Sequence, residues 1–106
     1  MKSWQMYITL RMSGVKLPYK EVKTLKETGR DPQPIINALI LFKRSGFQED
    51  FNPLIKHWKT GGNPVNVVTG LIEASKHDIS LTLPKAIEKD KSGTNIPEEI
   101  AKQVID

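Results

Sequence analysis

The chain has 106 residues, 26% charged and 38% hydrophobic, with a net charge of +4 and no cysteine. This length allows one domain with a working core, and the lack of cysteine excludes a disulfide frame or thiolate metal site and suits the cytoplasm. Residues 1–30 hold seven basic and two acidic side chains, a net of +5, against nine and ten in the rest, so the excess charge lies at the front. There it can face anionic lipid or nucleic acid, or simply form a solvated face.

The longest uninterrupted apolar run, Ala38 to Phe42, is far below the ~20 residues that span a bilayer. No secretory leader pattern opens the chain. Residues 4–17 read two ways. Trp4, Met6, Ile8, Leu10 and Met12 alternate as in a strand, while Trp4, Tyr7, Ile8, Met12 and Val15 fit one side of a helix. Aromatics beside Lys and Arg suit a membrane interface, though aromatics at a chain end also close cores.

From Pro18 the elements are helical. A first helix runs from Pro18 to Thr28 with Tyr19, Val22 and Leu25 or Lys26 on one side, and Gly29 stops it. Asp31-Pro32 starts a second, which carries Ile35, Ile36, Leu39, Ile40 and Phe42 inward and stops at Gly46. A third starts near Asn52-Pro53 with Phe51, Leu54, Ile55 and Trp58. Gly61-Gly62-Asn63-Pro64 then writes helix stop, cap and restart together. Val65, Val68, Leu71 and Ile72 form the stripe of a fourth helix, which runs to about His77. Thr82-Leu83-Pro84 opens a fifth. Asn95 and Pro97 open a last one, with Ile100, Val104 and Ile105 inward. Only Ile79 to Leu83 alternates briefly as a strand would.

These signals recur. Gly29, Gly61 and Gly93 are spaced by 32, as are Tyr19, Phe51 and Leu83, and Val22, Leu54 and Ala86. A fixed period with two helical stretches in it marks stacked helical hairpins. The expected fold is therefore all-α: stacked helical hairpins of five or six helices in a short α-solenoid-like repeat. A basic, aromatic arm over residues 1–17 precedes a single helical domain over 18–106.

Catalytic chemistry finds no support. Lys59-Thr60-Gly61 and Ser13-Gly14-Val15-Lys16 match two boxes of penicillin-binding enzymes, but the third box and the length are missing. His57 and His77 are too far apart and too few for zinc. Ser75, His77 and Asp78 are too close along one helix end to converge. Glu73, Glu88 and Asp90 have no apolar surroundings in sequence that would make an acid–base pair. No catalytic residue, cofactor or metal ligand is expected.

The succession Pro32, Ile36-Asn37-Ala38-Leu39-Ile40, Lys43, Gly46, then Leu54, His57-Trp58, Gly61-Gly62-Asn63, Val67-Val68, Leu71-Ile72, Ala74, Ile79 and Leu81 resembles the bacterial flotillin-like proteins. The likeness covers roughly residues 14–100, and Gly61-Gly62-Asn63 with Val67-Val68 and Leu71-Ile72 is its most specific part. That family has an N-terminal membrane hairpin, a helical stretch of this kind, an SPFH-type domain and a helical tail. Gly70 replaces the family's Ala, Lys59-Thr60 replaces small apolar residues, and Ile87 to Gly93 keeps Ile, Asp and Gly but loses the apolar residues between. With hairpin and SPFH domain missing, the chain is expected to be a segment of a longer protein or a short stand-alone relative.

The resemblance implies a non-enzymatic, homo-oligomeric scaffold that organises other membrane proteins and lipids at the cytoplasmic face of the cell membrane, the isolated chain being soluble. It places Trp4, Tyr7, Arg11, Lys16, Lys20 and Lys23 beside anionic lipid. The alternative is a small basic helical domain that binds nucleic acid.

Overall fold

The computed structural model describes residues 2–105 and contains seven helices, with no strand among the described residues. They are α1 (Ser3–Met12), α2 (Tyr19–Glu27), α3 (Gln33–Arg44), α4 (Asn52–Lys59), α5 (Pro64–Lys76), α6 (Leu83–Lys91) and α7 (Ile96–Ile105). The six helices after Pro18 fall where the starts and stops place them, and the chain is all-α. Residues 79–82, which alternate in sequence, are not a strand.

The period of 32 is physical. Gly29, Gly61 and Gly93 all take positive φ, of 77°, 101° and 82°. A second series of helix stops has the same spacing: Gly14 at φ 86°, Gly46 at 85° and Asp78 at 54°. Asp78 is the one non-glycine at positive φ among the described residues. It closes α5 as Gly14 closes α1: the Asp78 N–H donates to Ser75 O at 3.3 Å, and the Ile79 N–H donates to Ala74 O at 2.8 Å. The helix starts keep step. The side chain of Asp31 accepts from Gln33 N, that of Asn63 from Asn66 N and that of Asn95 from Glu98 N. Helices α1, α3, α5 and α7 are thus successive copies of one element, and α2, α4 and α6 of the other.

The chain forms two compact units, divided between Asp50 and Phe51. In the first, α1 packs on α2 and α3 around Met6, Leu10, Val15, Leu17, Val22, Leu25, Ile36 and Phe42. The stretch expected as an arm over residues 1–17 is therefore largely a helix built into this unit. Its inward residues are Met6 and Leu10, one helical turn apart. Trp4, Ile8 and Met12, on the side suggested by the sequence, point outward. In the second unit α5 is central: it packs most extensively on α7, and also on α4 and α6. Trp58, Leu54, Val67, Val68, Ala86, Ile96 and Ile100 fill that core. A Cβ on Gly70 would run into the Ile96 side chain, so the close approach of α5 and α7 depends on that glycine.

Candidate functional site

The first unit presents the basic, aromatic surface. Met6 and Leu10 fix the roll of α1, so the opposite side faces out: Trp4 is 52%, Ile8 45% and Met12 84% exposed. Beside this stripe Tyr7 is half-buried and meets Tyr19 of α2 edge to face, with ring centroids 5.5 Å apart. Arg11 donates from Nη1 to the Tyr7 hydroxyl at 3.2 Å and its guanidinium lies 5.8 Å from that ring's centroid. The Lys23 ammonium stands 6.0 Å from the Tyr19 centroid. Arg11, Lys16, Lys20 and Lys23 are all exposed. All six residues expected at a lipid surface thus belong to one unit. Three of them, Trp4, Tyr7 and Arg11, lie on α1, and Lys23 lies on α2 beside Tyr19. Lys16 lies in the connection to α2, and Lys20 in the first turn of α2.

The second unit holds a polar network whose connections the sequence does not show. His57 is 5% exposed, and its Nε2 lies 2.5 Å from Asp90 Oδ2. The same oxygen accepts the backbone N–H of Asn63 at 2.9 Å, and Oδ1 accepts Asn66 Nδ2 at 2.8 Å. Asn66 Nδ2 also donates to Thr94 O at 2.8 Å, while its Oδ1 accepts the Ile96 N–H at 3.0 Å. One carboxylate and one amide thereby tie α4, the turn before α5, α5 itself, α6 and the start of α7. Gly62 closes the site, since a Cβ there would run into the imidazole. Burial works against the charge on Asp90. The Asn63, Asn66 and His57 hydrogen bonds outweigh it, followed by attraction to His57, and hold the carboxyl below the ordinary 3.8. His57 Nδ1 is buried without a partner. The geometry directs the Nε2 edge of the ring onto Asp90 and buries the Nδ1 edge, which suits a structural tie.

The repeat does not single out this network. Asp90 and Trp58 are 32 residues apart, and so are His57 and Leu25. Trp58 and Leu25 are fully buried, but the remaining copies, Lys26 and Lys89, are exposed and half-buried, so an ionisable residue at these repeat positions does not by itself imply a partner. His77 instead lies at the surface, 3.9 Å from Glu73. No group of three or more metal-ligating side chains is present among the described residues.

Comparison with known proteins bears on the same residues. The chain is 30% identical over 100 residues to the flotillin-like protein FloA of Dictyoglomus turgidum, covering 93% of this chain. It is 28% identical over 95 residues to that of Alkaliphilus metalliredigens and 24% over 102 residues to that of Desulforapulum autotrophicum, covering 90% and 96% of this chain. The chain is a relative of the bacterial flotillin-like proteins. It spans 29–31% of the length of these flotillin-like relatives. No family model and no solved structure matches it. His57, Asn63 and Asp90, which carry part of the flotillin-like resemblance, are members of the polar network, and Gly62 packs against its imidazole. No helix among the described residues is long and apolar enough to cross a membrane.

Proposed function

We propose that this flotillin-like chain is a non-enzymatic, membrane-associated scaffold or interaction module, self-associating in its full-length context and working with other membrane proteins at the cytoplasmic face of the cell membrane. The observation that supports this reading is in the first unit, where Arg11 and Tyr7 of α1 and Tyr19 and Lys23 of α2 form one chain of contacts and Trp4, Lys16 and Lys20 are exposed. Neither Lys16, Lys20, Lys23 nor Arg11 is paired with a carboxylate among the described residues, so turning them to lipid phosphates breaks no ion pair. Each such cation near an anionic leaflet contributes ~1 kcal/mol and is screened by salt.

Flotation with vesicles tests the proposal. Binding is expected to anionic and not to zwitterionic vesicles, to fall with salt, and to drop sharply in the Lys16→Glu, Lys20→Glu, Lys23→Glu variant. A chain that ignores anionic vesicles at low salt refutes it. Nucleic-acid binding draws on the same cations but gives the exposed Trp4, Ile8 and Met12 no role. It requires salt-sensitive duplex or single-strand binding that the same variant abolishes.

A further inference from the structure

We infer that α1 lies in the plane of an anionic membrane surface with Trp4, Ile8 and Met12 inserted at the headgroup–acyl boundary, so that contact is hydrophobic as well as electrostatic. The inference rests on the membrane reading above and adds its mode. Three observations carry it.

First, the three residues are spaced by four and form one stripe along α1, opposite Met6 and Leu10. The helix is thus apolar on both its core side and its outer side. Second, the repeat shows that the Trp4 end of this outer side is one the fold otherwise covers. The positions matching Trp4 are Ile36, Val68 and Ile100, at most 2% exposed, whereas those matching Ile8 are half-buried or exposed and those matching Met12, Arg44 and Lys76, are exposed. Within the first unit, Thr9 and Ser13 of α1 and its C-cap face Asn37, Ile40, Leu41 and Arg44 of α3 across a groove of about 490 Å³. One period earlier, Gln5, Ile8 and Thr9, with Trp4, line a hollow of about 500 Å³ with no such facing wall in the first unit. Third, the charge around the stripe selects the occupant. Residues 1–30 carry the chain's whole excess of positive charge, and Arg11, Lys16, Lys20 and Lys23 are exposed. A second copy would bring the same cations against themselves, whereas anionic lipid supplies both an apolar layer and the opposite charge. Trp at such a boundary, flanked by Arg and Lys, is the side chain that interfacial helices use.

The test is Trp4 fluorescence with vesicles of mixed zwitterionic and anionic lipid. The difference between the natural chain and Trp4→Phe isolates Trp4, because Trp58 is fully buried in the second unit. On binding, Trp4 emission is expected to shift to the blue and to be quenched by lipids brominated in the upper acyl chain. Ile8→Glu and Met12→Glu, both at exposed sites that the fold does not need, should each weaken vesicle partitioning about tenfold, or ~1.4 kcal/mol. If the chain floats with anionic vesicles but Trp4 emission is unchanged and both variants bind equally, insertion is wrong and the membrane reading stands. If nothing floats, both fail. Self-association without vesicles that Ile8→Glu abolishes would give the stripe to a second copy and overturn the inference.

Discussion

Asp90→Ala removes the acceptor on which three donors converge. Asn63 N–H is at an exposed turn and can turn to water. Asn66 Nδ2 keeps Thr94 O. His57 Nε2 does not recover, because the ring is 5% exposed and its other nitrogen already has no partner. An unmet buried donor costs ~1–3 kcal/mol, and loss of a charged acceptor sits at the upper end. The expected destabilisation is therefore ~2–4 kcal/mol, a large share of the ~5–15 kcal/mol typical of a folded domain. Urea unfolding followed by far-ultraviolet circular dichroism measures it. The pH dependence gives a second arm. The carboxyl is held below its ordinary 3.8 when folded, so its contribution is complete above that value and is lost as pH falls through the lowered one. Asp90→Asn keeps the shape and should remove this contribution to acid sensitivity while costing less than alanine. A loss under ~0.5 kcal/mol for Asp90→Ala, within the range of ordinary surface substitutions, would refute the account of the network as the tie between α4, α5 and α6.

Three further substitutions test the repeat and its packing by the same unfolding assay. Asp78→Gly should stabilise the chain by ~0.5–1 kcal/mol, because Asp78 alone holds the left-handed stop with a Cβ; no gain would mean that its side chain makes up the strain. Gly61→Val should cost ~1 kcal/mol or more at φ 101°, although space at that site is open. Gly70→Ala should cost ~1–3 kcal/mol by overpacking against Ile96, and Ile96→Ala, at a fully buried site, should cost less in that variant than it does alone.

The fold was legible wherever stop, cap and stripe agree. Gly61 to Asn63 state a helix end and a cap, and α5 starts there; of the expected stripe Val68 and Leu71 are buried, while Val65 is 37% exposed and Val67 is buried in its place. Residues 4–17 were ambiguous because α1 has apolar residues on both sides, so neither period wins. The second series of stops was hidden because its third member is Asp78, whose type suits a cap or turn as well as a positive φ. The cations and aromatics of the first unit could be named from composition because they are local and contiguous. The His57–Asp90 tie could not, since its members lie 33 residues apart and only folding brings α6 onto α4. The repeat does not reveal it either, since the positions of His57 and Asp90 hold Lys89 and Lys26 in other copies as well as Leu25 and Trp58.

Gly70 shows how such a constraint spreads. The resemblance sets alanine at this position, and loss of a methyl group would by itself leave a small void and a weaker helix. Here the void does not exist, because Ile96 fills it. Ile96 cannot withdraw freely: its N–H is held by Asn66 Oδ1, and Asn66 is held in turn by Asp90. The polar network therefore sets where α7 begins, and that start sets how much room α5 has opposite it. Fixed from one side by hydrogen bonds, the α5–α7 contact is closed from the other by the smallest residue. The glycine is a packing consequence of the Asn66–Asp90 tie in this chain, so relaxing the tie should lower the cost of Gly70→Ala. Combining it with Asp90→Ala should give a total loss smaller than the sum of the two separate losses, and strict additivity would show that network and helix contact are independent.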